Sequence, residues 1–305
     1  MLRPFLLALA FSIALTLPAF AQQAPPPTPP QTNLPHSAPL NPALPTVFIV
    51  GDSTARNSAD LGWGDHFAQF FDTSRINVAN RAIAGRSSRS YIDEGHWAAT
   101  LAEMKSGDFL LLQMGHNDGG DLGGPKPRGD LKGIGDETQD VAQTTGPYAG
   151  KIETIHTFGW YLRKMIDDAK AKGVHPILLT PTIRNIWKAP DGSPCGAANQ
   201  PACPAGAHIE HDMGYNDWIH QVAAQEQIPV LDLGNTEADK LEALGPEKTA
   251  PLFPKDHTHT SPEGANLVAE TVAAVVRSSK DPLSSYLKPL PANGTNSAAE
   301  SSKTQ

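Results

Sequence analysis

The chain has 305 residues, 39% of them hydrophobic, and a formal net charge of −8. This is enough apolar material for one sizeable core, so a single domain is expected. An acidic balance with no Lys/Arg block argues against nucleic acid or an anionic membrane as partner and favours small or neutral ones.

At the start of the chain, residues 1–21 stand apart from the globular pattern. Arg3 precedes an apolar stretch over 5–17 that is too short to span a bilayer comfortably, and Ala19 and Ala21 offer small residues for cleavage. That pattern reads as a secretory signal peptide, with a retained N-terminal anchor as the alternative. A proline-rich spacer follows over 22–45. The globular domain is expected over 46–287, and the small polar residues of 288–305 form a tail expected to be disordered. Export implies the periplasm or the medium, an oxidising setting that allows a disulfide between the only two cysteines, Cys195 and Cys203. Their spacing fits no zinc pattern. A ring this short stabilises by about 2 to 3 kcal/mol in the chain-entropy model.

Within the domain, near-continuous apolar runs at 46–50, 76–80, 109–114, 176–180 and 228–233 are expected as strands buried on both faces. Between them, the three-to-four spacing of Ile152, Ile155, Leu162 and Ala169 predicts a helix through 151–173, ending at Gly173. Residues 211–227 and 261–279 carry the same period, the latter opening with Ser261 as N-cap and Pro262 at the first helical position. Alternating strands and helices predict an α/β fold with a mainly parallel sheet, whose functional groups gather beyond the carboxyl ends of the strands.

Four loops fall there. Gly51-Asp52-Ser53-Thr54 follows the first strand; it lacks the glycine spacing and lysine of a phosphate-binding loop, and Ser53 is a nucleophile only if a base reaches it. Asp256 and His259 supply a candidate acid–base pair, three residues apart before the last helix. Asp256, His257 and His259 also raise a metal reading, for which no further ligand set at suitable spacing is present. Gln113 to Asp118 presents Asn117, a suitable donor to an oxyanion, and in the loop 80–91 Gly85 brings a bare backbone N–H to the same point. Asp52 and Asp118 are expected to accept loop N–H bonds, and His116 to order its loop.

In this order the motifs GDSTARNS, GWGDHF, GRSSRSY, QMGHND, HTFGWYLRKMI and DHTHTSPEGANLVAE resemble the SGNH, or GDSL, hydrolase family, and within it the rhamnogalacturonan acetylesterases and similar carbohydrate esterases. The resemblance covers nearly all of residues 46–280. It implies a three-layer, flavodoxin-like fold with a five-stranded sheet. It also implies a serine esterase acting without metal or organic cofactor, with Ser53, His259 and Asp256 catalytic and Ser53, Gly85 and Asn117 forming the oxyanion hole. The substrate implied is an acetylated polysaccharide or oligosaccharide, pectic or xylan-like, and the protein is expected to be a monomer.

Arg56, Arg86 and Arg89 are candidates for uronate carboxylates, with solvated loop arginines or internal ion pairs as the alternatives. Trp63 and Trp97 are candidates for sugar stacking, with burial in the core as the alternative, and Trp187 is a further stacking candidate. Segments 119–140 and 185–206 depart from the family pattern and are placed to overhang the site. A carbohydrate-binding protein without turnover is the competing reading. A lipase or thioesterase is disfavoured by the polar, arginine-rich loops.

Overall fold

Five parallel strands carry the fold: Thr46–Val50, Asn77–Asn80, Phe109–Leu112, His175–Leu179 and Val230–Leu231. The computed structural model describes residues 39–58, 60–197 and 199–290. The expected signal peptide, most of the proline-rich spacer and the tail from 291 onward lie outside the described residues. Numbered among themselves in chain order, the sheet strands run 2-1-3-4-5 across the sheet, the flavodoxin-like order. Its switch point lies between the first and third strands, where ligands bind in such folds.

The period of two in the strands explains the layers. Val47 and Ile49 point to one face with Phe109, Leu111, Ile177 and Leu179, packing under the helix Pro262–Ser278 and the rings of Trp63, Phe67 and Phe71. Phe48, Val50, Leu110, Leu112 and Leu178 point to the other, against Phe158, Leu162 and Met165 of the helix Phe158–Ala171 and Ile219 and Val222 of the helix Asn216–Glu226. Both faces of every central strand are therefore buried, as a parallel sheet requires. Ser261 caps its helix by accepting from the Gly264 N–H, with Pro262 next in line.

Three segments differ from expectation. The predicted helix over 151–173 is helical only from Phe158; Ile152–His156 is a strand paired antiparallel with Thr138–Ala142. Ile155 lies inward while Ile152 is 58% exposed, so its place in a helical period is coincidental. Thr157 starts the helix by accepting from the Trp160 N–H. The run at 228–233 pairs only at Val230–Leu231, because Asp232 caps a new helix, Leu233–Leu244, through the Asn235 N–H. Part of the expected loop 80–91 is also helical: Ser87 and Ser90 form a reciprocal capping box at the start of Ser88–Asp93.

The two departing segments are structured. Trp187–Lys188 pairs with both Pro194–Cys195 and His208–Ile209, and Cys195 is disulfide-bonded to Cys203. With Ile183, Ile209, Ala238, Leu241 and Phe253 they make a small core of their own. The other segment is held by Arg89, whose guanidinium donates to the Leu122 and Gly129 carbonyls.

Candidate active site

The nucleophile turn follows directly from the first strand. Asp52 is fully buried; its Oδ1 accepts from the Thr54 N–H at 2.8 Å and from Thr54 Oγ1 at 2.9 Å, and its carbonyl accepts from the Arg56 N–H at 3.0 Å. These bonds set a tight turn with Ser53 at its crest. Behind it, the Trp63 and Gly64 N–H groups bond the Thr54 and Ala55 carbonyls. A Cβ on Gly62 would meet the Ala55 backbone at 2.4 Å, so glycine is needed there for close approach.

Ser53 Oγ lies 2.9 Å from His259 Nε2, and His259 Nδ1 lies 2.7 Å from Asp256 Oδ2. Asp256 Oδ1 also accepts from the Thr258 and His259 N–H groups at 2.7 and 2.8 Å. Burial works to raise the Asp256 carboxyl, but these bonds, the His259 ring foremost, outweigh it and hold the group down at about 2. The carboxylate therefore stays ionised and fixes one imidazole tautomer, leaving Nε2 to accept a proton from Ser53. Thr260 Oγ1 ties the loop to the Leu61 carbonyl, and the Asn185 N–H ties it to the His257 carbonyl. The His257 ring turns away from the pair, to Thr258 Oγ1 at 2.8 Å.

Across the turn, Asn117 Nδ2 donates one hydrogen to the Arg86 carbonyl at 3.0 Å, which leaves its second hydrogen free. Gly85 has φ of 77°, a conformation other residues adopt at a cost. Among the described residues, neither the Ser53 nor the Gly85 backbone N–H has an acceptor. Asp118, fully buried, clamps the two loops together: one oxygen accepts from the Ser88 N–H at 2.8 Å and the other from the Gly115 N–H at 2.9 Å. Its neighbour Asp130 accepts from Ser88 Oγ, and burial together with the charge of Asp118 raises the Asp130 carboxyl well above its usual range. Burial raises the Asp118 carboxyl as well, against the lowering effect of its bonds from Ser88.

His116 bonds Thr182 Oγ1 through Nε2 at 2.9 Å, while its buried Nδ1 has no partner. Burial lowers its basicity despite the nearby Asp52 charge, so the ring is neutral at pH 7. Asp52 and Asp118 thus accept loop N–H bonds, as expected, and His116 links its loop to the one after the fourth strand.

The arginine and tryptophan assignments need correction. Trp63 is fully buried and donates to Gln113 Oε1 at 2.8 Å, a core residue beneath the turn. Trp187, 4% exposed, belongs to the disulfide-stapled core and donates to Asn185, and Trp97 is buried with its N–H on Asp168. None of the three presents a face to a sugar. Arg89 is 1% exposed and bonded to both Glu153 oxygens at 2.6 Å, a buried ion pair that cannot be lent to a ligand. Arg56 pairs with Asp65 at 3.0 Å and with the Asn80 carbonyl. Arg86 is partly exposed, but Glu94 holds its guanidinium at 2.8 Å. Internal pairing is therefore the role of Arg56 and Arg89. Arg128, which sequence reasoning passed over, stands beside Gly85, with Nη1 3.3 Å from the Gly85 carbonyl.

Comparison with known proteins adds the family. The GDSL-like Lipase/Acylhydrolase family model matches residues 49–267. A rhamnogalacturonan acetylesterase of Emericella nidulans is 33% identical over 231 residues, covering 76% of this chain and 84% of that one. The rhamnogalacturonan acetylesterase RhgT of Bacillus subtilis is 31% identical, covering 79% and 93%. Among solved structures, the Bacillus subtilis protein YxiM aligns with a TM-score of 0.56 at 25% identity, over 77% of this chain and 56% of that one.

Proposed function

The chain belongs to the GDSL-like lipase/acylhydrolase family and is a carboxylic ester hydrolase, and on that premise we propose that it removes O-acetyl groups from an acetylated cell-wall polysaccharide. The glycan is of the rhamnogalacturonan type, with xylan the neutral competitor, and the protein acts as a monomer after export to the periplasm or medium. The observation that carries this reading is the Ser53–His259–Asp256 chain of 2.9 and 2.7 Å contacts on a turn at the sheet's switch point. Similarity to two rhamnogalacturonan acetylesterases supports the substrate class.

The reaction is a two-step acyl transfer. Ser53 Oγ attacks the acetyl carbonyl carbon as His259 Nε2 takes its proton, and the imidazolium is stabilised by Asp256. The carbonyl oxygen becomes an oxyanion that receives the Ser53 and Gly85 N–H groups and the free hydrogen of Asn117 Nδ2. The tetrahedral intermediate collapses, His259 returns its proton to the departing sugar oxygen, and the acetyl group stays on Ser53. Water, deprotonated by His259, then attacks the acyl carbon; the acyl–Oγ bond breaks, His259 returns the proton to Ser53 Oγ, and acetate leaves. No step uses a metal or organic cofactor.

The direct test is acetate release from acetylated rhamnogalacturonan, acetylated xylan and a small acetyl ester, with Ser53→Ala alongside. Release by the wild-type protein that Ser53→Ala abolishes is the expected result. Unchanged hydrolysis by folded Ser53→Ala would reject the nucleophile. Absence of release from all three by folded wild-type protein would favour the carbohydrate-binding reading.

A further inference from the structure

Beside Gly85 the fold forms an open cavity of about 400 Å³, lined in part by segments 125–128 and 145–148, a size within the range of small-ligand pockets. Its charges fall into two sets. Arg86 is held by Glu94, and Arg89 by Glu153 and Asp93. Lys126 and Arg128 have no carboxylate within ion-pair distance among the described residues. Burial, reinforced by the Glu153 charge, raises the Asp93 carboxyl above its usual range. Four cationic side chains, Arg86, Arg89, Lys126 and Arg128, line the cavity against the three carboxyls of Asp93, Glu94 and Glu153, so the lining is positive on balance within a chain of net charge −8. Pro125, Pro127 and Pro147 restrict the wall's backbone, and Tyr148 adds an aromatic surface.

We infer that this cavity is a subsite for a uronate residue of the glycan, with its carboxylate taken by Arg128 and Lys126, and that it selects acidic over neutral sugar esters. Arg128 offers a planar fork suited to a carboxylate, and Lys126 at the exposed rim offers a mobile point charge. Placement of the uronate beside the reacting ester rests on the esterase reading, because Gly85 both lines the cavity and donates to the proposed oxyanion. The overall charge of the chain repels an acidic polymer, so a local positive excess is what makes such a substrate acceptable. The structure thereby moves the carboxylate-binding role from Arg56 and Arg89 to the segment after Asn117.

The test is equilibrium binding, which is independent of turnover. Titration calorimetry compares an unacetylated galacturonate oligosaccharide with its methyl ester, on wild-type protein and on Lys126→Glu, whose exposed site leaves the fold intact. Charge-assisted hydrogen bonds of the usual strength predict that wild-type protein prefers the free acid by about tenfold or more. That preference should disappear or reverse in Lys126→Glu, and Arg128→Gln should weaken it as well. Equal affinity of the wild-type protein for the two forms, or an undiminished preference in Lys126→Glu, would overturn the inference. Acetate release from the acetylated acid and its methyl ester separates the two claims. Hydrolysis with no carboxylate effect on binding removes the subsite and leaves the esterase; carboxylate-dependent binding without hydrolysis removes the esterase and leaves the subsite.

Discussion

Asp118→Ala probes how the two loops around the nucleophile are held. The carboxylate accepts from the buried Ser88 and Gly115 N–H groups at 2.8 and 2.9 Å. Truncation orphans both donors, at about 1 to 3 kcal/mol each. Removal of the Asp118 charge, which helps to raise the buried Asp130 carboxyl, offsets part of this, so a net loss of about 2 to 4 kcal/mol is expected. For a domain of this size that lowers the melting temperature by roughly 5 to 15 °C. The two bonds also fix the segment carrying Gly85 against the one carrying Asn117. A shift of a fraction of an ångström there should lower kcat by on the order of 10- to 100-fold with a smaller effect on KM. Differential scanning calorimetry and steady-state kinetics on a small acetyl ester read both effects. Asp118→Asn, which keeps one acceptor oxygen, should lie between wild type and alanine. A melting temperature and kcat for Asp118→Ala indistinguishable from wild type would refute the clamp.

Asn117→Ala should reduce kcat by about 100- to 1,000-fold, the usual cost of one oxyanion donor, and a loss below about threefold in kinetic assay would remove Asn117 from that role. Glu237 is fully enclosed with one oxygen unpartnered, and burial raises its carboxyl from 4.5 to about 8. The folded state therefore binds the proton more tightly than the unfolded one, and this contribution is full below pH 4.5 and lost as pH rises towards 8. Urea denaturation from pH 5 to 8 should show a fall in stability that Glu237→Gln flattens; parallel pH profiles would contradict the assignment. Replacing Cys195 and Cys203 with serine should cost about 2 to 3 kcal/mol, seen as a lower melting temperature that reductant reproduces in the wild-type protein. A melting temperature insensitive to both would show that the staple contributes nothing.

The layer order and the sheet were legible because burial on both faces leaves a simple mark: Val47 to Val50 and Phe109 to Leu112 have no polar position to confuse the reading. The grouping of Ser53, His259 and Asp256 was legible through chemistry, since these residue types sit on loops that a doubly wound fold brings to one edge. What was not legible depended on partners distant in sequence. Ile152 fits a helical period, but its segment is claimed by Thr138–Ala142 across a hairpin, and no local signal announces that pairing. Arg89 and Arg128 look alike in the sequence; Glu153, 64 residues beyond Arg89, neutralises one and not the other. Trp187 sits in a Pro/Gly-rich segment that suggests an exposed loop, yet Ile209, Leu241 and Phe253 close over it. Composition does not distinguish an insertion with its own small core from a flexible one.

The central claim is that Ser53 carries the acyl group. Rapid mixing with an acetyl ester, acid quenching and mass spectrometry of the intact protein and its peptides tests it most directly. A transient acetyl adduct is expected on the peptide containing Ser53, formed within the first turnover and absent from Ser53→Ala and His259→Ala. Full turnover with no adduct on Ser53, or an adduct that survives in Ser53→Ala, would contradict it.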